Sequence, residues 1–154
     1  MRSFLFGVGL IVLASVPAQA AKVRWQGEFL VTKASAGCTD YNPVGTDALV
    51  RFRPPIAGSD NGAGSRLSIF QRRYTISHKL VTGSFNSTFK PVETMTISDG
   101  FEGIGNPVAV RITAMSPKPT ATTDFIKAEG QIKGYDNMPN CVVTFQMSLV
   151  RRRD

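Results

Sequence analysis

The chain has 154 residues, with 18 lysines and arginines against 11 aspartates and glutamates and a formal charge of +7. That length suits one domain around one core. It leaves no room for a multidomain enzyme or a nucleotide-binding βαβ fold of ordinary size.

The first element reads as an export signal. Arg2 supplies the positive start, Phe4 to Val16 is apolar, and Ala18-Gln19-Ala20 is a small-x-small cleavage site. The stretch is shorter than the ~20 apolar residues of a membrane helix. Residues 1–20 are therefore expected to be a cleaved signal peptide and residues 21–154 a single domain, its charge lowered to +6 by loss of Arg2. The expected location is exported, periplasmic or extracellular, with no transmembrane segment.

From there a period of two dominates, the mark of half-buried strands. Val23, Trp25, Gly27, Phe29 and Val31 share one face, and Arg24, Gln26, Glu28 and Thr32 the other, with Leu30 an apolar exception. Ala48, Val50 and Phe52 alternate with Leu49, Arg51 and Arg53; Leu67 and Ile69 mark a short third run. Tyr74, Ile76, His78 and Leu80 oppose Arg73, Thr75, Ser77 and Lys79. Further runs are 90–98, 107–115, 125–134 and 141–150, the last with Val143, Phe145, Met147 and Leu149 on one face. Between the runs lie turn-rich stretches such as Asn42-Pro43, Pro54-Pro55, 58–64 and 98–106, where proline removes a ladder donor and glycine supplies positive φ.

Eight strands with one dry face predict an all-β fold, a single small antiparallel barrel of about eight strands, with a β-sandwich as the alternative. Two cysteines in an exported chain predict one disulfide, Cys38–Cys141. In an even-stranded meander the first and last strands run antiparallel, so the bond would join the end of the first to the start of the last. That closure would remove two open edges. An outer-membrane barrel conflicts with charged outward positions such as Arg51, Arg53, Lys127, Glu129 and Lys133, since Arg or Lys at mid-bilayer costs roughly 2–4 kcal/mol.

Catalytic motifs are sparse. His78 is the only histidine and falls on the inward phase, without an inward carboxylate to orient it. No G-x-S-x-G motif occurs, zinc would want more ligands, and Asp60-Asn61-Gly62 lacks the remaining acids of a calcium loop. Asp99 and Glu102 share one glycine loop, the setting of a solvated turn. No cofactor, no metal and no catalytic residue are expected.

Two features suggest binding. Trp25, Phe29, Phe52, Tyr74 and His78 lie on the inward phase and would border a ligand cavity if the barrel is hollow. Arg51, Arg53, Arg72 and Arg73, with the terminal Arg151–Arg153, would attract phosphates, anionic headgroups or acidic polysaccharide. Nucleic acid is not an expected partner, because export separates the protein from it.

The signal peptide, the early Trp25-Gln26-Gly27-Glu28-Phe29 and a bridge tying back the last strand resemble lipocalin- and avidin-like secreted barrels, and small periplasmic barrel inhibitors of proteases and lysozymes. The lipocalin hallmark is Gly-x-Trp, whereas here the order is Trp25-x-Gly27, and avidin-like sites use several tryptophans where Trp25 stands alone. No site residue carries over. The expected function is a non-enzymatic binding protein for a small apolar or amphipathic ligand or an anionic envelope component. The alternative is an inhibitor of an envelope or secreted hydrolase that wedges with the loops 60–65 or 100–105. A barrel enzyme with His78 as its base ranks third.

Overall fold

The computed structural model describes residues 23–54, 66–71, 74–79, 88–92, 94–97 and 108–153. At Tyr74, at 76–79, at 94–97 and at Arg153 only the backbone course is described. Residues 1–22, 55–65, 72–73, 80–87, 93, 98–107 and 154 lie outside the described residues.

Among the described residues nine strands form one antiparallel sheet: β1 (Val23–Ala34), β2 (Asp47–Arg53), β3 (Arg66–Phe70), β4 (Tyr74–Lys79), β5 (Lys90–Pro91), β6 (Thr94–Ile97), β7 (Ala109–Ser116), β8 (Phe125–Lys133) and β9 (Val142–Arg153). Their order is β5-β7-β8-β9-β1-β2-β3-β4-β6. The expected eight runs become nine because the run 90–98 divides. Every pair of neighbouring strands is antiparallel, so β5 and β6 point the same way and are two stretches of one chain run. That run pairs with β7 through Lys90, Pro91 and the Val92 amide, which donates to the Val108 carbonyl at 2.9 Å, and from Thr94 onward it pairs with β4. Pro91 has no N–H to give a second neighbour, which suits the place where partners change. The two sheet edges are thus linked through one short piece of chain, and the sheet is curled.

The first and last strands meet as expected. β1 and β9 form the longest ladder, from Val23 opposite Arg153 to Ala34 opposite Val143. Cys38 and Cys141 are disulfide-bonded just beyond its end. Ser35 fastens the same corner: its amide donates to the Val142 carbonyl and its Oγ accepts from the Val142 amide, both at 2.9 Å.

The inward face is the one that the alternation assigned. Trp25, Phe29, Val50, Phe52, Leu67, Ile69, Ile126, Ile132, Phe145 and Leu149 are buried in one cluster. Arg51, Arg53, Lys127, Glu129 and Lys133 face solvent, and Leu30 does too, as an apolar residue on the outward phase. Gly27 stands opposite Leu149, where a Cβ would collide with the Ser148 carbonyl. Backbone cannot yield as a side-chain tip does, so Gly27→Val is expected to cost about 3 kcal/mol through overpacking. Urea unfolding of the variant would show it; an unchanged midpoint would mean the seam can open without penalty.

Candidate anion-binding face

The inward aromatic residues are packed on one another. Trp25, Phe29 and Phe52 are fully buried; the Trp25 and Phe52 rings lie 6.2 Å apart and those of Phe29 and Phe145 4.7 Å. The Trp25 indole N–H donates to the Thr123 carbonyl at 3.0 Å, so the loop 117–124 folds over that end of the core. Arg151 holds the loop in place: its guanidinium contacts Asp124 at 2.6 Å and donates to the Ala121 carbonyl, and its amide donates to the Asp124 carbonyl at 2.7 Å. Tyr74 and His78 sit on β4 with Ile97 and Leu67 as their respective backbone partners, and their side chains are outside the described residues.

The outer face carries a second arrangement. Arg24 on β1 pairs directly with Arg152 on β9, and Arg53 on β2 pairs directly with Arg66 on β3. The β1–β2 register, with Trp25 opposite Phe52, makes Arg24 and Arg53 the next positions along. Four arginines therefore stand in a row across β9, β1, β2 and β3, at the end of the sheet away from the disulfide. The backbone of Lys79 continues the row on β4. Arg53, Arg66 and Arg152 are exposed and Arg24 is half-buried. Like charges directly opposed across a ladder are unfavourable by themselves, by roughly 0.2–1 kcal/mol each.

Beside this row lies a parallel one of mixed character. Val150 pairs with Gln26, Gln26 with Arg51, and Arg51 with Ser68. Phe125 on β8 extends it by pairing with Val150, and both are exposed, at 42% and 45%. Arg51, Arg53, Arg66, Ser68 and Phe70 enclose a groove of about 300 Å³. The Arg51 guanidinium lies over the Phe70 ring, 5.2 Å from its centre, within the usual range of a cation–π contact. Of the described carboxylates, Asp40, Asp47 and Asp136 stand toward the disulfide end and Glu28 and Glu129 midway. At the arginine end the described carboxylate is Asp124, in contact with Arg151.

Of the residues expected to bind anions, Arg51 and Arg53 are thus together at the groove, whereas Arg72 and Arg73 are outside the described residues. The terminal triplet divides by strand phase, Arg151 turning in at 14% exposure and Arg152 out. Sequence reasoning missed Arg24 and Arg66. Arg24 has Lys22 two positions before it and Arg66 has no cation near it in the linear order, and only strand pairing brings them beside Arg152 and Arg53.

A polar cluster at the disulfide end was missed as well. Gly134, Asp136 and Asn137 all have positive φ, which turns the chain sharply after β8 and buries Tyr135. The Gln71 side-chain amide donates to the Tyr135 hydroxyl at 2.7 Å. Burial first, then a hydrogen bond to Asp136, pushes the Tyr41 pKa up and keeps its hydroxyl protonated. The cluster ties the loop after β1 to the turn before β9, a structural role beside the disulfide.

Among the described residues no helix is long and apolar enough to cross a membrane. Comparison of the chain with known protein families, curated proteins and solved structures finds no match.

Proposed function

We propose that this is an exported, non-enzymatic binding protein whose outer face engages an anionic component of the cell envelope or its surroundings. The observation that carries the reading is the register that sets Arg24 against Arg152 and Arg53 against Arg66. Two like-charged pairs on neighbouring ladders concentrate positive charge on one strip of the outer face, where anions are drawn in. The groove beside them adds a guanidinium already oriented by Phe70, and guanidinium groups bind carboxylate and phosphate in a fixed fork. The mutual packing of Trp25 with Phe52 and of Phe29 with Phe145 favours the outer face over the interior as the binding surface.

Retention on dextran sulfate tests the reading. Arg53→Gln/Arg66→Gln is expected to weaken binding at least tenfold at moderate salt. It should also flatten the dependence of log K on log salt by about 1.4 to 1.8, the share of two lost charge contacts. Equal retention of variant and parent would overturn the proposal.

A further inference from the structure

We infer that the ligand of this face is a linear acidic polysaccharide, laid across the strands along the arginine row. The inference rests on the proposed anion binding and specifies its chemistry. Neighbouring strands are about 4.8 Å apart, so the backbone positions of Arg152, Arg24, Arg53 and Arg66 span about 14 Å around the curl, and their side chains fan outward from it. A single small anion touches one or two of them. A chain with one acidic group per sugar unit meets them in turn as it follows the curl.

The second row supplies what a sugar requires besides charge. The Gln26 amide and Ser68 hydroxyl can exchange hydrogen bonds with ring hydroxyls, while the exposed Phe125 and Val150 and the ring of Phe70 present apolar surface to sugar faces. Curvature selects the polymer over a bilayer. The row runs across the strands and hence around the convex outside of the curled sheet, and four of nine strands cover roughly 40% of such a curl. Side chains fanned over that arc cannot all reach one plane, whereas a flexible chain follows it. Linked contacts then add through effective concentration, so individually weak arginine contacts become strong together.

The test uses the mature, disulfide-intact protein and oligogalacturonates of one to eight units, with calorimetry as the readout. Affinity is expected to be immeasurable for the monomer, to rise at least a hundredfold toward about four units, and then to level off. Arg152→Gln and Arg66→Gln, at the two ends of the row, should each lower the plateau affinity about tenfold and bring it to shorter chains, with Arg66→Lys restoring part of the loss. Circular dichroism confirms that each variant is folded. Inorganic phosphate or monogalacturonate binding as tightly as the octamer would overturn the extended ligand while leaving anion binding intact. Preference for phosphatidylglycerol vesicles over octamer at equal charge would overturn the polysaccharide in favour of a membrane surface, and preference for single-stranded oligonucleotide would do so in favour of nucleic acid. Failure of every polyanion, dextran sulfate included, would remove both readings.

Discussion

Replacing Cys38 and Cys141 together by alanine is expected to lower the unfolding free energy by about 2–5 kcal/mol. The bond spans 103 positions, and on chain entropy alone a loop near 100 residues is worth about 4.7 kcal/mol. The β1–β9 ladder survives the substitution, because its pairs from Val23 to Ala34 are backbone hydrogen bonds that do not depend on the bridge. The variant should therefore keep a strand-rich circular dichroism spectrum while its urea midpoint falls. Hydrogen exchange should locate the loosening. The Val142 amide, held by Ser35 Oγ, loses protection before amides near Trp25 at the far end of the ladder. An unchanged midpoint would show that the paired strands alone hold the ends of the chain together.

The second large effect is expected in the core. Phe145→Ala should cost about 3–5 kcal/mol, the usual range for a buried ring. Phe145 is fully buried, its ring lies 4.7 Å from that of Phe29, and it reaches over Gly130 on the neighbouring strand. Gly130 has no side chain because a Cβ there would strike both the Phe145 ring and the Arg111 carbonyl. The two positions share one space, so Gly130→Ala should be less costly in the Phe145→Ala background than in the parent. A double-mutant cycle by urea unfolding measures that coupling. Additive effects would mean that the Arg111 carbonyl alone excludes the methyl group.

Much of this architecture is legible in the order of residues. Alternation alone assigns Trp25, Phe29, Val50, Phe52, Phe145 and Leu149 to the core and Arg51, Arg53 and Lys127 to solvent, because a strand turns successive side chains to opposite faces. Two cysteines flanking the first and last runs sufficed to pair them, since each had one available partner. The division of the run 90–98 was less visible. Its composition is that of one strand, and the change of partner follows from where the edges of β7 and β4 come to lie.

The candidate site was legible only in part. Arg51 and Arg53 stand out because they are two apart on one strand, but Arg24, Arg66 and Arg152 are far apart in the chain. Their alignment depends on register, and register depends on a single irregularity. Counted from Ala34 opposite Val143, an unbroken ladder would set Arg24 against Arg153; the shift between Val31 and Lys33 moves it to Arg152. A slip of one residue sends a side chain to the other face, so that local bulge decides which arginine of the terminal triplet completes the outer row, Arg152 rather than Arg153. Which side of each strand is dry is a property of neighbouring residues along the chain. Which charges stand together across the sheet is a property of pairing between separate strands, over more than a hundred residues for Arg24 and Arg152, and it exists only once the strands have met.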